Sequence, residues 1–250
     1  MRLAHFATGE GVFDGIIRGD RIFVIEGGLF GKMNETGSSY SLSSVTLLAP
    51  VKPSKAVCVG HNYLDHIKET NSPVPVVPLI FMKPPTAVIG TGDDIIYPDM
   101  SNHIDYECEL AIVVGKTAKN VPYADAKNYI LGYTCANDVS ARDIQRSNGQ
   151  WIAGKGFDTF LPLGPWIETN IDADNLDIRT LVNGKIKQHS NTSNCIFDVS
   201  RLIEFISSIM TLLPGDVIIT GTPSGISKLD RGDEVTIVID GIGSLTNKVI

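Results

Sequence analysis

The chain has 250 residues, with 21 Lys and Arg against 28 Asp and Glu, so its formal net charge at neutral pH is −7. Hydrophobic residues make up 43% of the chain and charged residues 20%, which is the composition of a folded globular protein and excludes a disordered one. Polyanionic partners require a basic surface, so the acidic balance argues against a nucleic acid or an anionic lipid surface as a partner.

The cysteines and the apolar segments indicate where the protein works. The four cysteines are far apart and form no Cys-x-x-Cys pair, which excludes a zinc ribbon and argues against a disulfide scaffold. The N-terminal residues 1–5 contain no apolar stretch of the kind found in a secretory signal. The longest apolar run, residues 74–82, is interrupted by prolines and is too short to cross a bilayer. We therefore expect a cytoplasmic protein with no membrane association.

Short strands and tight turns dominate the N-terminal segment. Polar and apolar residues alternate through residues 1–28, and Gly19-Asp20 separates two apolar stretches as the turn of a hairpin would. Residues 31–44 are rich in Gly, Ser, Thr and Asn and are predicted to form a connecting loop. The sequence thus predicts a small N-terminal β module over residues 1–50 and a larger domain over residues 51–250.

Beyond residue 50, the predicted strands outnumber the predicted helices. Apolar runs predict strands at residues 56–59, 106–114, 129–137, 217–220, 235–239 and 245–250. Helices are predicted at residues 63–70, 122–129, 140–146 and 199–210, and Asn183-Gly184 predicts the turn of a hairpin. Because the helices are short and do not alternate regularly with strands, we expect a strand-dominated α+β fold rather than a barrel or a doubly wound sheet.

Acidic residues occupy alternate positions at the start of the predicted strand 106–114. Alternate residues share one face of a strand, so Asp105, Glu107 and Glu109 are predicted to point the same way. Beyond Glu109 the same face becomes apolar, so the strand runs from a polar end into the core. Adjacent like charges repel, and a divalent cation removes the conflict by accepting oxygen ligands from both. The alternative is an edge strand whose acids face water.

A further acid, Asp138, follows the next predicted strand at the point where a helix is predicted to begin. It is either the N-cap of that helix or a third oxygen ligand for a cation. Two Glu and one Asp, with water in the remaining positions, form a site suited to a hard cation such as Mg²⁺ or Mn²⁺. The residue pattern leaves both roles open.

His66 and Glu69 lie three residues apart on a predicted helix and are therefore neighbours on one of its faces. A carboxylate that orients a histidine is the arrangement of a general base that activates water. The alternative is an exposed charged helix, on whose surface such pairs are common.

Two lysines and a Gly-rich segment are further candidates. Lys155 lies between Gly154 and Gly156, where it meets a substrate carboxylate or a developing oxyanion, or else is the solvated residue of a turn. Lys83 directly follows an apolar strand. Residues 220–225 follow another predicted strand and offer backbone N–H groups and a hydroxyl to an anion.

Taken in order, these segments resemble the fumarylacetoacetate hydrolase family, in its branch of acylpyruvate hydrolases and 2-hydroxyhepta-2,4-diene-1,7-dioate isomerases. The segments that carry the resemblance are Gly60–Tyr63 with His66 and Glu69, Phe81–Pro84, Asp105–Leu110, Asn137–Asp143, Lys155–Thr159 and Gly221–Pro223. The resemblance covers residues 50–250 and implies a mixed β-roll of layered sheets with short helices, assembled as a homodimer. Residues 152–154 depart from the family, which more often has a polar or bulkier residue there, and this leaves the choice of substrate open.

The resemblance also implies roles for individual residues. Glu107, Glu109 and Asp138 would hold Mg²⁺ or Mn²⁺. His66 and Glu69 would activate water, and Lys155 and Gln145 would contact the reacting oxygens. Lys83, Arg142 and Thr222 would line the pocket.

The implied activity is that of a divalent-metal-dependent enzyme acting on small 2-oxo or 2,4-dioxo acids. Hydrolysis of a C–C bond in an acylpyruvate-type substrate comes first, because the His66–Glu69 pair suits water activation. The alternatives within the family are a 2-hydroxyhepta-2,4-diene-1,7-dioate isomerase and an oxaloacetate decarboxylase, which use the same enolate chemistry. Outside the enzymes, the alternative is a module that binds an organic acid without turnover.

Overall fold

The computed structural model describes the backbone of residues 1–250 and the side chains of all of them except Asn148. Strands make up most of its regular structure. In chain order they are β1 (Arg2–Thr8), β2 (Gly11–Arg18), β3 (Arg21–Glu26), β4 (Asn34–Ser41), β5 (Thr46–Leu47), β6 (Ala56–Gly60), β7 (Leu79–Lys83), β8 (Val88–Ile89), β9 (Asp94–Ile95), β10 (Ile104–Asp105), β11 (Cys108–Val114), β12 (Ile130–Asn137), β13 (Ser140–Ala141), β14 (Leu161–Glu168), β15 (Asp177–Val182), β16 (Lys185–Asn191), β17 (Val217–Ile219), β18 (Lys228–Leu229), β19 (Glu234–Ile239) and β20 (Gly243–Val249).

The helices are few and short. The α-helices are α1 (Leu64–Thr70), α2 (Arg142–Asn148), α3 (Ile152–Lys155) and α4 (Val199–Ile209). Short 3₁₀ helices lie at Leu42–Ser44, Pro85–Ala87, Tyr123–Tyr129 and Thr192–Asn194. None of the helices in the described chain has the length and apolar character needed to cross a bilayer.

The strands form three sheets. The largest has twelve strands, and its hydrogen-bonded path runs β4-β3-β2-β1-β14-β12-β11-β17-β6-β7, with β5 beside β1 and β8 beside β14. A five-stranded sheet runs β16-β15-β19-β20-β9, and a three-stranded sheet runs β13-β10-β18. Leu3 pairs with Ile167, so the N-terminal strands continue the largest sheet. The division of the chain at residue 50 stays a prediction.

Strand β11 lies in the middle of the layers and is buried on both faces. Its alternate residues from Cys108 to Val114 pack in one core with Ile178 of the five-stranded sheet and Leu202 of α4. Ala111 and Val113, on the opposite face, pack in a second core. The strand-dominated, layered α+β fold expected from the sequence is therefore confirmed.

Most of the predicted elements are present, and several segments differ; the helix predicted over residues 122–129, for example, is a 3₁₀ helix. The predicted loop over residues 31–44 is largely β4, a polar edge strand that pairs with β3. The predicted strand over residues 106–114 is shorter, because residues 106–107 separate β11, which begins at Cys108, from β10 of the small sheet. Strand β14 has no predicted counterpart, since Pro162 and Pro165 within it argue against a central strand.

Candidate active site

A cavity of about 740 Å³ brings together most of the residues singled out in the sequence. The predicted site residues that line it are His66, Glu69, Glu107, Glu109, Asp138, Arg142, Gln145, Lys155 and Thr222. The exception is Lys83, which is not among the lining residues. The structure thus shows that these side chains meet, while their individual roles stay predictions.

The antiparallel pair of β11 and β12 positions the carboxylate cluster, which we define as Glu107, Glu109 and Asp138. Glu109 pairs with Ala136 across the two strands. Where the pairing ends, the N–H of Asp138 donates to the carbonyl of Glu107 at 2.9 Å, and the N–H of Glu107 donates to Oδ1 of Asn137 at 3.0 Å. One oxygen from each member of the carboxylate cluster lies within 4.8 Å of the others. Of the three acids predicted to share a face, Glu107 and Glu109 meet in this cluster, and Asp138 joins them. Asp105 does not, because it lies on β10 and pairs with Arg142.

Two buried cations neutralise part of this charge. Lys155 Nζ donates to Oε2 of Glu107 at 2.7 Å and to Oδ2 of Asp138 at 2.6 Å. Arg142 donates to Oε1 of Glu107 at 2.5 Å and to Oδ2 of Asp105 at 2.8 Å. Burial opposes ionisation of Glu107, but the charges of Lys155 and Arg142 outweigh it and hold the pKa of Glu107 well below its usual range. Glu107 is therefore ionised at neutral pH.

Glu109 is the member of the carboxylate cluster that forms no ion pair with the described side chains. The N–H of Gly221 donates to its Oε2 at 2.6 Å. Burial, together with the charges of Asp138 and Glu107, raises the pKa of Glu109 well above its usual range. A buried carboxylate beside two others is destabilised unless positive charge joins them, so this corner of the cavity favours a cation.

The donor set fits a hard divalent cation. The carboxylate cluster is buried and supplies oxygen ligands, which suit Mg²⁺ or Mn²⁺ better than a soft metal. Asp138 Oδ1 is buried and lies 2.8 Å from the ammonium of Lys83, which also donates to three backbone carbonyls. This oxygen keeps a lone pair for a further ligand. Glu107, Glu109 and Asp138 would therefore hold the ion.

Lys83 lies beneath the cavity, which corrects the expectation that it lines the pocket. Its side chain is buried, and its Nζ donates to the carbonyls of Val139 at 2.8 Å, Lys155 at 2.6 Å and Phe160 at 2.7 Å. Burial lowers the pKa of Lys83, and the nearby charge of Asp138 opposes that shift. Lys83 thus holds the backbone around two cavity residues in place.

Helix α1 presents the predicted histidine–glutamate pair to the cavity. His66 Nδ1 lies 3.0 Å from Oε2 of Glu69. Two side chains tie this helix to the segment after β17: Glu69 Oε1 accepts the N–H of Gly225 at 2.9 Å, and Asp65 Oδ2 accepts the hydroxyl of Ser224 at 2.9 Å. A carboxylate at Nδ1 favours the tautomer with its proton there, which leaves Nε2 of His66 as the basic nitrogen.

Helix α2 contributes three lining residues from one face. Arg142, Gln145 and Arg146 are spaced by three and four residues, so they lie side by side. Arg142 donates to Oε1 of Gln145 at 2.7 Å and is otherwise committed to buried acids. Arg146 forms no ion pair with the described side chains, so its charge is available to a molecule in the cavity.

Sequence reasoning missed several other residues that line the cavity. His103 lies 2.7 Å, through Nε2, from Oδ1 of Asp105, and its position two residues before that acid was the signal that could have found it. His61 directly follows β6, within a segment quoted only for its family resemblance. Trp151 and Lys228 come from distant parts of the chain, and no local pattern marks them.

The layered sheets thus surround a cavity whose buried acidic donors fit a divalent cation. The family profile described as fumarylacetoacetate (FAA) hydrolase C-terminal matches residues 55–250, and the profile described as Rv2993c-like, N-terminal matches residues 1–50. The chain therefore belongs to the fumarylacetoacetate hydrolase family, as the motifs in its sequence indicated.

Known relatives in this family carry several activities. A mitochondrial oxaloacetate tautomerase of Bos taurus is 47% identical over 221 residues, which cover 83% of this chain and 70% of that protein. The structure of 5-carboxymethyl-2-hydroxymuconate delta-isomerase from Mycobacterium smegmatis is 48% identical with a TM-score of 0.95, over 100% of this chain and 99% of the other. The structure of maleylpyruvate hydrolase from Sphingobium sp. SYK-6, in complex with manganese (II) ion and pyruvate, is 30% identical with a TM-score of 0.84, again over 100% of this chain and 99% of the other.

Proposed function

We propose that the protein catalyses proton transfer on small 2-oxo dicarboxylic acids, as a tautomerase or double-bond isomerase that uses Mg²⁺ or Mn²⁺. The observation that carries the proposal is that the His66–Glu69 pair and the carboxylate cluster line the same cavity. The sequence placed C–C bond hydrolysis first. The tautomerase and isomerase relatives, at 47% and 48% identity against 30% for the hydrolase, support the reverse order.

The acidic end of the cavity would bind the 2-oxo acid group. Held by the carboxylate cluster, a divalent ion supplies Lewis acidity and a fixed positive charge there. Lys155 lies against the same carboxylates, 2.6 Å from Oδ2 of Asp138, and adds a second positive charge. The 2-oxo oxygen and the neighbouring carboxylate of the substrate are therefore both bound at this end.

The His66–Glu69 pair moves the proton. Glu69 accepts the N–H at Nδ1, so Nε2 of His66 takes a proton from C3, the carbon next to the 2-oxo group. The electrons of the C3–H bond become the C2–C3 double bond, and negative charge moves to the 2-oxo oxygen. Return of the proton to that oxygen gives the enol tautomer. With a 2-hydroxy-2,4-dienoic acid, the base takes the proton of the 2-hydroxyl group instead, the double bond moves from C2–C3 and C4–C5 to C3–C4, and return of the proton to C5 gives the 2-oxo isomer.

The free charge of Arg146 supports a second carboxylate group in the substrate. Arg146 lines the cavity one turn after Arg142 and forms no ion pair with the described side chains. An arginine in this state binds a carboxylate in bidentate fashion. A dicarboxylic acid can therefore present its 2-oxo acid group to the ion held by the carboxylate cluster and its second carboxylate to Arg146.

Hydrolysis of an acylpyruvate is the second candidate function. The observation that favours it is the 3.0 Å contact between His66 and Glu69, since a base of this kind also takes a proton from water. The resulting hydroxide would attack the distal carbonyl of the substrate, and the C–C bond would break to leave a pyruvate enolate. The similarity to a maleylpyruvate hydrolase bound to manganese and pyruvate is consistent with this second activity.

The test offers three substrates to the Mg²⁺-loaded protein. Loss of ultraviolet absorbance by the enol of oxaloacetate measures tautomerisation, and the same method follows 2-hydroxyhepta-2,4-diene-1,7-dioate. Release of pyruvate from acetylpyruvate measures C–C bond hydrolysis. We expect the first two to be accelerated over buffer, and His66→Gln to lower these rates by about 10²–10⁴-fold because it removes the base.

His189→Gln is the matched control, because His189 lies exposed on β16, away from the cavity. It is expected to retain the wild-type rates. Acceleration of acetylpyruvate cleavage alone would favour the second candidate. No acceleration of any of the three would refute the assignment to 2-oxo acids.

A further inference from the structure

His61 is held in an unfavourable backbone conformation. It directly follows β6 and has a φ of 54°, in the left-handed region that residues with a Cβ adopt only where their neighbours enforce it. A Cβ on the preceding Gly60 would lie 2.4 Å from the ring of Trp151, so that position packs tightly against the indole. The following Asn62 is buried, accepts the N–H of Phe197 at 2.8 Å and donates to the carbonyl of Phe197 at 3.1 Å. Both neighbours are fixed, so they set the direction of the His61 side chain.

That direction brings the imidazole to the cavity beside the proposed base. His61 lines the cavity, and its ring centroid lies 6.0 Å from that of His66 with 24° between the planes. The edge of the indole of Trp151 supports the ring from another side, with centroids 5.5 Å apart. The proton transfer assigned to His66 and Glu69 makes no use of His61.

The two nitrogens of His61 differ in their surroundings. Nδ1 is buried and has no hydrogen-bond partner among the described residues, so the ring meets the cavity through Nε2. A buried N–H without an acceptor is rarer in proteins than a buried lone pair without a donor, which favours the tautomer with the proton on Nε2. The negative charge of Glu107 also favours an N–H directed into the cavity. Burial and the charge of His66 lower the pKa of His61, so the ring is neutral at neutral pH.

We infer that His61 is a further catalytic residue, whose Nε2–H donates a hydrogen bond to the substrate oxygen on which negative charge develops. The inference rests on the proposed function of the cavity. When His66 takes the proton from C3, the electron pair moves toward the 2-oxo oxygen, and the Nε2–H of His61 stabilises the charge there. No bond within His61 breaks, and its proton stays on Nε2. The neighbouring histidines therefore divide the work, one as a base and the other as a neutral donor.

The tautomer and the contact are tested on the wild-type protein by nitrogen NMR of ¹⁵N-labelled histidine. The chain has only five histidines, and the signal of His61 is identified by its loss in His61→Asn. We expect a neutral ring with its proton on Nε2 at neutral pH. Addition of oxalate, which resembles a pyruvate enolate, to the Mg²⁺-loaded protein is expected to shift this signal and not that of His189. A proton on Nδ1, a charged ring or no response to oxalate would overturn the inference.

The contribution to catalysis is tested with two variants. Asn tolerates a positive φ, so His61→Asn keeps the backbone conformation, while its short amide N–H does not reach the position of the imidazole Nε2. It is expected to lower kcat by about 10²–10³-fold and to change KM little, because the hydrogen bond strengthens as charge develops. His61→Gln keeps a side-chain N–H and is expected to recover kcat to within about tenfold of wild type. A purely structural role predicts the larger loss in His61→Gln, because Gln is less tolerant of a positive φ than Asn, and an unchanged kcat in His61→Asn contradicts the inference.

The two proposals fail in different ways. If the wild-type protein accelerates none of the 2-oxo acids, the proposed function is lost. The NMR experiment still decides whether His61 carries its proton on Nε2 and contacts an enolate-like anion, since neither readout depends on turnover.

Discussion

Replacement of Lys83 by Met isolates the contribution of the buried ammonium beneath the cavity. Methionine keeps an unbranched apolar side chain in the same space and removes the charge. The carbonyls of Val139, Lys155 and Phe160 lose their shared donor. Asp138, whose side chain is only 1% exposed, loses a cation that lies 2.8 Å from its Oδ1. Water cannot replace these partners, so we expect a large loss of stability.

The magnitude follows from the ion pair and the carbonyls. Removing one partner of a buried ion pair costs about 3–5 kcal/mol when the other charge is left unpaired, and less here because Lys155 still lies 2.6 Å from Oδ2 of Asp138. Each carbonyl that loses its donor costs about 1 kcal/mol more, and release of the buried ammonium offsets part of the sum. We therefore expect the free energy of unfolding to fall by about 3–5 kcal/mol, a large fraction of the roughly 5–15 kcal/mol of a typical domain.

Urea unfolding followed by tryptophan fluorescence measures this loss for the whole chain. Lys127→Met is the matched control, because Lys127 pairs with Asp174 at 2.9 Å at the surface, with 61% of the lysine side chain exposed. The control is expected to lose less than about 1 kcal/mol. If Lys83→Met loses no more than the control, the buried ammonium contributes nothing to stability and the reasoning is refuted.

Two further predictions concern other buried acids. Glu109→Gln removes the carboxylate that has no cation partner, so the metal-free variant should melt at the wild-type temperature or above. The rise in Tm that Mg²⁺ or Mn²⁺ causes in the wild type should be lost, and calorimetry with and without the metal checks both results; a retained rise would contradict the ligand assignment. Burial opposes ionisation of Asp216, but hydrogen bonds from Lys55 and Ser54 outweigh it and lower the pKa of Asp216. The ionised carboxylate therefore stabilises the folded protein fully above the unfolded pKa of about 3.9, and this stabilisation is lost as the pH falls through the lower pKa of the folded state. Asp216→Asn should therefore be clearly less stable than wild type near pH 7, with a gap that narrows in urea titrations toward about pH 3; a gap independent of pH would exclude this linkage.

Patterns with a short period were enough to predict the strands that hold the carboxylate cluster. In β11 the two-residue alternation is a local property, and Glu109, Ala111 and Val113 share a face as expected, with the two apolar residues in the second core. Strand β14 escaped prediction because its prolines oppose strand formation locally, and only its partners β1 and β12 in the sheet compensate. Local preference therefore succeeds where tertiary pairing agrees with it and fails where pairing overrides it.

The candidate site shows the same division. Family motifs named the residues around the cavity, yet a lysine after an apolar strand has the same local pattern whether it lines a pocket or is buried beneath it. The burial of Lys83 depends on carbonyls that lie between 56 and 77 positions away along the chain. The approach of Trp151 to His61 is likewise set by folding and not by spacing. Neither the order of hydrolysis and isomerisation nor the homodimer follows from patterns of this kind. The substrate assays above decide the first, and a measurement of mass in solution decides the second.

The two halves of the candidate site lie on elements that differ in local stability. The carboxylates lie on and beside β11 and β12, inside a twelve-stranded sheet, where amide hydrogens exchange with solvent only when the whole domain unfolds. His66 and Glu69 lie on a helix of seven residues, docked onto the segment 224–225 by hydrogen bonds of Asp65 and Glu69. Such a short surface helix opens by local fluctuation at a much lower free energy. Helix α1 can therefore open while the carboxylate cluster stays in place, so that loss of proton transfer by His66 need not entail loss of the metal site.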